Sequence, residues 1–332
     1  MELPLFSVLD TVRELGWSGA VELFRNGLAL GSLYALIALG YTMVYGILKL
    51  LNFAHGDVYM VGAFIGFGVL NAFGGSPSPS IAILPLIILM FVVAMLGSGA
   101  LGVVIERYAY RPLRSSPRLT LLITALGVSF FLQNSMLLLF GAQFRSYQSF
   151  QLGSDNPAAF EPGPLFQPVF TIAGVNFQRI QLVVFATSIA LMVALTLLVA
   201  KTTLGKAMRA TAFDHEAAAM MGIDVNRVIA ATFFIGSVLA GAAGVMFGLM
   251  FSQINHFMGF YAGLKGFTAA VVGGIGSIPG AMLGGLLVGL VESYAQGYLG
   301  GQWSDIAVFA ILIIVLLVRP TGLLGARAIQ KV

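Results

Sequence analysis

The sequence predicts an all-α membrane protein that crosses a bilayer many times, and two observations point to this class. Of its 332 residues, 58% are hydrophobic and only 9% are charged, whereas soluble domains carry about 25% charged residues. Apolar runs of about 20 residues, each long enough to cross a bilayer, recur along the chain. We therefore expect a single transmembrane domain over residues 1–332, built from about eight to ten segments that include broken or re-entrant helices.

The first half of the chain alternates apolar runs with short polar segments. Residues 1–24 are predicted to form a weakly amphipathic segment that lies at a membrane face. The predicted spans of this half cover residues 26–48, 58–73, 81–105 and 119–140. Gly27 and Gly31 are spaced for close packing of the first span against another helix. A turn-rich segment, 74–80, and an arginine-rich segment, 106–118, separate the later spans.

The second half opens with the longest polar loop, residues 141–180, and contains one interrupted apolar stretch. Uninterrupted spans are predicted over residues 181–200, 228–250 and 305–318. The stretch 264–291 is broken at residues 273–280 by several glycines and Pro279, which a regular helix accommodates only at a cost. We expect two half-length helices or a re-entrant pair there. Large residues at Gly276 or Gly280 are expected to stop function.

The distribution of Lys and Arg predicts the orientation of these spans. Segments 106–118 and 201–227 are both rich in basic residues, so both are expected in the cytoplasm, and the loop 141–180 is then external. The basic tail from Arg319 is also cytoplasmic if the stretch 264–291 returns to the side where it began. The N-terminus is then external and the C-terminus cytoplasmic.

Residues 201–227 form a densely charged loop between two spans, and its middle has a helical pattern. Phe213, Ala217, Met220 and Met221 follow one stripe of a 3.6-residue period. Gly222 stands where a helix would end. We predict a short amphipathic helix over residues 207–221, whose apolar stripe is covered either by this chain or by a partner.

Few residues of the chain have the chemistry of a reactive site. The sequence holds no cysteine, no phosphate-binding loop and no Ser-His-Asp order, so we expect no catalytic residues and no cofactor. Asn52, His55 and Asp57 allow three interpretations: a metal site, a polar turn between helices, or the lining of a solute path. Two ligands do not make a metal site, and we expect no metal. Irregular backbone at membrane depth is tolerated where it lines a cavity, which favours a path.

Two further polar features belong to the interrupted stretch. Lys265 and Glu292 flank it, and they are either functional groups inside the membrane or side chains that reach to its surface. Together with the polar turn, the stretch gives the predicted translocation path: Asn52, His55, Asp57, Gly274, Gly276, Ser277, Pro279 and Gly280.

Glu216, Ala217 and Ala218, followed after three residues by Gly222, resemble the coupling motif of bacterial ABC-importer permeases. In that family this loop forms a short helix that docks on a cytoplasmic ATPase. The resemblance implies a coupling role for Arg209, Asp214, Glu216, Ala217, Ala218 and Gly222. The Ile and Leu-Pro that follow in the family are replaced here by Thr232-Phe233-Phe234. By itself, the short motif is also compatible with an ordinary solvated loop helix.

Longer stretches resemble one branch of that family, the permease subunits of branched-chain amino acid importers. They are residues 26–64, 106–119, 126–134, 220–248, 265–293 and 319–325, in the order of the family. The chain most resembles the first of the two homologous permease subunits. The resemblance implies a type II importer fold, a sister permease, two cytoplasmic ATPases that bind the ATP, a periplasmic binding protein and a bacterial inner membrane.

The sequence therefore supports an importer subunit for leucine, isoleucine, valine or related amino acids. Permeases for urea and short amides share much of the pattern and remain an alternative. An ion-coupled secondary transporter or channel would need Asp or Glu within the spans, and an intramembrane enzyme would need a catalytic constellation there.

Overall fold

The computed structural model describes residues 4–73, 83–147, 165–172 and 174–325. The predicted loop 74–80, much of the loop 141–180 and the end of the basic tail lie outside these residues. The described helices are α1 (Pro4–Leu48), α2 (His55–Ala72), α3 (Ile83–Ile105), α4 (Arg118–Phe140), α5 (Arg179–Lys201), α6 (Thr203–Phe213), α7 (His215–Met220), α8 (Val225–Phe251), α9 (Met258–Gly273), α10 (Ile278–Leu299) and α11 (Gly301–Val318). The short strands are β1 (Arg145–Ser146), β2 (Pro168–Ile172), β3 (Val175–Gln178) and β4 (Gln253–Ile254).

Seven helices of the described part are long and apolar enough to cross a membrane: α1, α3, α4, α5, α8, α10 and α11. The other two long apolar helices, α2 and α9, pack in the interior of the bundle, and most of their residues are buried. The predicted class, an all-α protein with many membrane segments, is confirmed.

Helix α1 is the centre of the bundle, and α10 packs directly on its backbone. A Cβ atom at Gly289 would lie 2.2 Å from the Gly31 nitrogen, and one at Gly285 would lie 2.3 Å from Ala35 Cα. Such distances leave no room for a side chain, so the two backbones touch along this seam. The close packing expected at Gly31 is confirmed, and its partner is α10.

The first span begins earlier than residue 26, where the sequence placed it. After a kink at Gly16 (φ 54°) the helix runs without a break through Arg25 to Leu48. Arg25 is buried, and its guanidinium lies 3.0 Å from Glu22 and donates to the Asn176 carbonyl. Because the charge is paired, the helix continues through this position.

The arginine-rich segment 106–118 begins as helix and not as loop. A π-helical turn (Glu106–Tyr110) and a 3-10 turn (Arg111–Leu113) extend α3. The buried Glu106 carboxylate accepts from Arg114, which also donates to Asn226 at 2.8 Å. Burial lowers the pKa of the Arg114 guanidinium, and the neighbouring Glu106 carboxylate partly opposes this shift.

The interrupted stretch forms a helical hairpin. Its break is the turn 274–277, narrower than the predicted 273–280, and α9 begins already at Met258. The Leu323 and Leu324 N–H groups donate to the carbonyls of Val272 and Gly273 at 3.0 and 2.9 Å. The turn also borders α6, so the segment after α11 lies at the same end of the bundle as α6. The prediction that the stretch 264–291 returns to the side where it began is confirmed.

Two short antiparallel strand pairs lie at the other end of the bundle. Strand β1, after α4, pairs with β4, after α8, and β2 pairs with β3 just before α5. The Tyr147 hydroxyl donates to the Ala63 carbonyl of α2. The described part of the loop 141–180 is therefore tied to the helices beneath it.

Candidate functional site

The charged loop 201–227 contains two helices, α6 and α7, and not the single helix predicted over 207–221. The chain is extended at Asp214 (φ −156°, ψ 119°). The Asp214 carboxylate accepts from the Glu216 and Ala217 N–H groups at 3.0 and 3.1 Å, so it ends one helix and caps the next. Because these local hydrogen bonds favour an extended backbone at Asp214, the helix predicted from the 3.6-residue period is interrupted there.

Helix α7 ends at Gly222 in a Schellman motif, as the position of the glycine predicts. Gly222 has a φ of +84°, and its N–H donates to Ala219 while the Ile223 N–H donates to Ala218. Ala218 is buried and Ile223 packs on the core, so this turn fixes α7 against the bundle.

The predicted apolar stripe remains on the surface. Phe213, Met220 and Met221 are 80%, 82% and 83% exposed, and Ala217 is exposed too. The sequence left open whether this chain or a partner covers these side chains. The described residues leave Met220 and Met221 uncovered.

The remaining predicted coupling residues divide into two groups. Glu216 points into solvent beside the stripe, whereas Arg209 and Asp214 make local contacts. The Arg209 guanidinium donates to the Val199 carbonyl at the end of α5, which fixes α6 to that helix. Arg209 and Asp214 therefore position the surface that Glu216 and the stripe present.

Asn52 and the start of α2 lie inside the bundle, whereas Lys49, at the beginning of the turn 49–54, is exposed. Asn52, His55 and Asp57 are 3%, 1% and 1% exposed. The Tyr110 hydroxyl donates to Asn52 at 2.9 Å, and Ser129 and Gln133 donate to the Asp57 carboxylate. The Nε2 atom of His55 has no hydrogen-bond partner among the described residues, and its ring lies edge-on to Tyr41.

The partners of Asp57 indicate how deep α2 begins. Ser129 and Gln133 lie in the interior of the 23-residue helix α4, far from both of its ends. A helix that begins at this depth leaves its first N–H groups without water, and Asp57 supplies an anion in that first turn. The three side chains are closed off in this conformation, so their role in a solute path stays a prediction.

Ser129 supports the Asp57 carboxylate, and its removal should destabilise the protein measurably. Ser129→Ala leaves a buried carboxylate with one donor fewer, and we expect a loss of about 1.5–3 kcal/mol in the free energy of unfolding. Ser135→Ala is the matched control, because the Ser135 hydroxyl is exposed and bonds only to Phe131 of its own helix. The control should stay within about 0.5 kcal/mol. Thermal unfolding in detergent measures both, and equal effects would contradict the assigned role of Ser129.

The turn between α9 and α10 holds the other predicted path residues. Ser277 Oγ accepts from the Gly280 N–H at 3.2 Å and caps α10, with Pro279 in the first turn. Gly274 contacts Gly325, and Gly276 borders a cavity of about 100 Å³ between α1, α6 and this turn. The opposite half of α9 packs on the start of α2, where Gly56 meets Gly259 and Gly263. The two predicted parts of the path, the turn 274–277 and the start of α2, therefore lie at opposite ends of α9, which contacts both.

Lys265 and Glu292 pair with each other inside the bundle. Lys265 Nζ lies 2.7 Å from Glu292 Oε1 and 2.8 Å from Asp305 Oδ1, which joins α9, α10 and α11. Sequence reasoning missed Asp305, and it also missed Ser129 and Gln133 as partners of Asp57. The spacing of Ser129 and Gln133, one turn apart in an apolar helix, is the signal that could have found them.

Three carboxylates of the described residues are buried in the bundle. Asp57, Glu106 and Glu292 are all buried, each beside a donor or a cation. No cluster of three or more His, Cys, Asp or Glu side chains suited to a metal occurs among the described residues.

Comparison with known proteins identifies relatives over most of the chain. The family described as branched-chain amino acid transport system, permease component, matches residues 23–316. The high-affinity branched-chain amino acid transport system permease protein BraD of Pseudomonas aeruginosa is 44% identical over 92% of this chain and 96% of its own. LivH of Escherichia coli, with the same description, is 43% identical over the same shares. A probable branched-chain amino acid permease of Methanocaldococcus jannaschii is 29% identical over 92% of this chain and 93% of its own. No solved structure matches significantly.

Proposed function

Because the chain belongs to the family of branched-chain amino acid transport permease components, we propose that it is a transmembrane subunit of an ATP-driven importer of leucine, isoleucine and valine. The observation that carries the substrate class is the match of nearly the whole chain to relatives described as high-affinity permeases for these amino acids. The same relatives favour this class over urea and short amides.

The exposed stripe of α6 and α7 is the surface we assign to an ATPase partner. Met220 and Met221 would otherwise remain in water, and exposed apolar patches of this kind mark protein interfaces. This chain supplies the coupling surface, and the partner subunits bind and hydrolyse the ATP. A sister permease, two ATPases and a periplasmic binding protein complete the assembly, in which the end that carries α6 and α7, with the C-terminus, faces the cytoplasm of a bacterial inner membrane.

The contacts of α6 suggest how a movement of the ATPase reaches the bundle. Met208 and Arg209 border the same small cavity as Gly276 and the end of α1. A shift of α6 would therefore act on the turn between α9 and α10, and α9 extends from there to the buried start of α2. Each nucleotide state must favour a different arrangement of these elements, since a ligand shifts an equilibrium only by its differential affinity.

The buried carboxylates reopen the alternative of ion coupling, because a proton or cation carrier needs such groups. Each of them has a hydrogen-bond donor or a cation of this chain beside it, and the family membership favours the ATP-driven mechanism. Dependence of uptake on ATP, with no dependence on an ion gradient, separates the two mechanisms.

Leucine uptake in a reconstituted system tests the proposal. Proteoliposomes that hold this chain, its sister permease, the ATPases and the binding protein should accumulate leucine when ATP is present on the ATPase side. A non-hydrolysable ATP analogue should reduce uptake to the level of empty liposomes. Uptake of urea without leucine, or leucine uptake driven by a sodium or proton gradient alone, would contradict the proposed function.

A further inference from the structure

Three charged side chains, those of Lys265, Glu292 and Asp305, meet where α9, α10 and α11 pack together. The side chains of Lys265 and Glu292 are 12% and 10% exposed, whereas that of Asp305 is 48% exposed. Glu292 Oε1 accepts from Lys265, Oε2 is buried without a hydrogen-bond partner of good geometry among the described residues, and the Tyr34 hydroxyl lies beside the carboxylate. A buried carboxylate needs a cation and hydrogen-bond donors beside it, and this chain supplies Lys265 and the Tyr34 hydroxyl.

A cavity of about 320 Å³ adjoins this ion cluster. Its wall is mostly apolar and includes Leu30, Phe247, Phe251 and Met258, while Lys265 and Glu292 face it from the side of α9 and α10. This volume lies within the range of small-molecule sites, about 300–1,000 Å³, and an apolar wall with a few polar groups is typical of them.

The cavity lies toward the end of the bundle opposite α6 and α7, where α8 ends and α9 begins. Tyr261 and Phe251 line it and are 54% and 41% exposed. A second cavity of about 390 Å³ shares Leu30, Phe251 and Gln296 with it and extends to Arg25 and Gln181. The two cavities are therefore neighbours, one beside Arg25 and the other beside the ion cluster.

We propose that Lys265 and Glu292 bind the charged head group of an α-amino acid whose apolar side chain packs against Phe247, Phe251 and Met258. The substrate ammonium would donate to the Glu292 carboxylate. Lysine has three N–H donors, of which two are directed at Glu292 and Asp305, so the third can reach the substrate carboxylate. This inference rests on the proposed function and adds a solute site within the chain itself.

The geometry selects zwitterions with apolar side chains. A fatty acid lacks the ammonium and would meet the Glu292 carboxylate, while an alkyl amine lacks the carboxylate and would meet Lys265. A short amide such as urea uses neither charge and leaves the apolar wall empty. We therefore expect leucine to bind, and 4-methylpentanoate, 3-methylbutylamine and urea to bind far more weakly.

Cysteine protection measures occupancy of this site directly, since the native chain has no cysteine. In the assembled transporter without binding protein, Tyr261→Cys places a thiol at the cavity wall. Saturating leucine should slow its labelling by a membrane-impermeant maleimide at least about fivefold. Phe260→Cys is the matched control, because Phe260 is partly exposed but does not line the cavity. Its labelling should not respond to leucine.

A second variant tests whether Lys265 and Glu292 bind leucine or only form a structural ion pair. Lys265→Met with Glu292→Gln removes both charges at similar volume, so no lone charge stays buried. In the Tyr261→Cys background this double variant should raise the leucine concentration for half protection at least about 30-fold, as the loss of charged hydrogen bonds predicts. Asp305→Asn, which keeps both cavity charges, should change it less than threefold.

The outcomes distinguish this inference from the proposed function. Leucine uptake by the intact transporter without protection of Tyr261→Cys, or protection unchanged in the double variant, would overturn the solute site and leave the importer standing. Protection by leucine with the expected loss in the double variant supports the site. Equal protection by urea would overturn the zwitterion assignment.

Discussion

Replacing Gly222 by proline should abolish the stimulation of ATP hydrolysis by solute-loaded binding protein, while the chain still inserts into the membrane and assembles. Gly222 has a φ of +84°, which proline cannot adopt, and its N–H donates to Ala219. The substitution therefore removes the Schellman turn that fixes α7. The exposed stripe of Met220 and Met221 would lose its position, and we expect stimulation to fall at least tenfold.

Gly222→Ala is the matched variant for this experiment. Alanine keeps the N–H group, and no atom lies within 4 Å of its Cβ position. Its cost is the left-handed backbone alone, about 1–2 kcal/mol, so stimulation should be reduced and not lost. Glu216→Lys tests the surface itself. Glu216 is exposed, and reversing its charge leaves the Asp214 cap of α7 intact. Normal stimulation in both Gly222→Pro and Glu216→Lys would contradict the assigned coupling surface.

Local patterns in the sequence predicted the features that depend on neighbouring residues. Apolar runs located the spans, the glycines and Pro279 located the turn 274–277, and Gly222 located the end of α7. Each of these signals acts within one or two turns of helix, where periodicity and backbone freedom determine the outcome.

Contacts between distant residues could not be read in the same way. Lys265 pairs with Glu292 on another helix, and Asp57 is bound by Ser129 and Gln133 of α4. The local pattern does not determine which helices become neighbours. The sequence therefore identified these charged residues but not their partners. The split at Asp214 was missed for another reason: its capping bonds compete with a helical period that continues through it.

Substitution of leucine for either of two glycines in the α9–α10 hairpin should have a different effect at each position. A Cβ at Gly280 would lie 2.5 Å from the Gly273 carbonyl oxygen, whereas no atom lies within 4 Å of a Cβ at Gly276. The Gly280 contact is with backbone of the facing helix, which cannot rotate aside as a side chain can. Gly280→Leu should therefore cost more than the about 1–3 kcal/mol of ordinary overpacking and prevent recovery of an assembled transporter.

Gly276→Leu should assemble and yet fail to transport. Its backbone is left-handed (φ +92°), which costs a non-glycine residue about 1–2 kcal/mol, too little to prevent folding. The new side chain would enter the cavity of about 100 Å³ beside Arg209 and block the approach of α6 to the turn. Gly276→Ala carries the same backbone strain without filling the cavity, so it should retain most uptake. Size-exclusion recovery and leucine uptake, measured on all three variants, separate packing from coupling. A Gly276→Leu transporter with the uptake of Gly276→Ala would show that this cavity takes no part in transport.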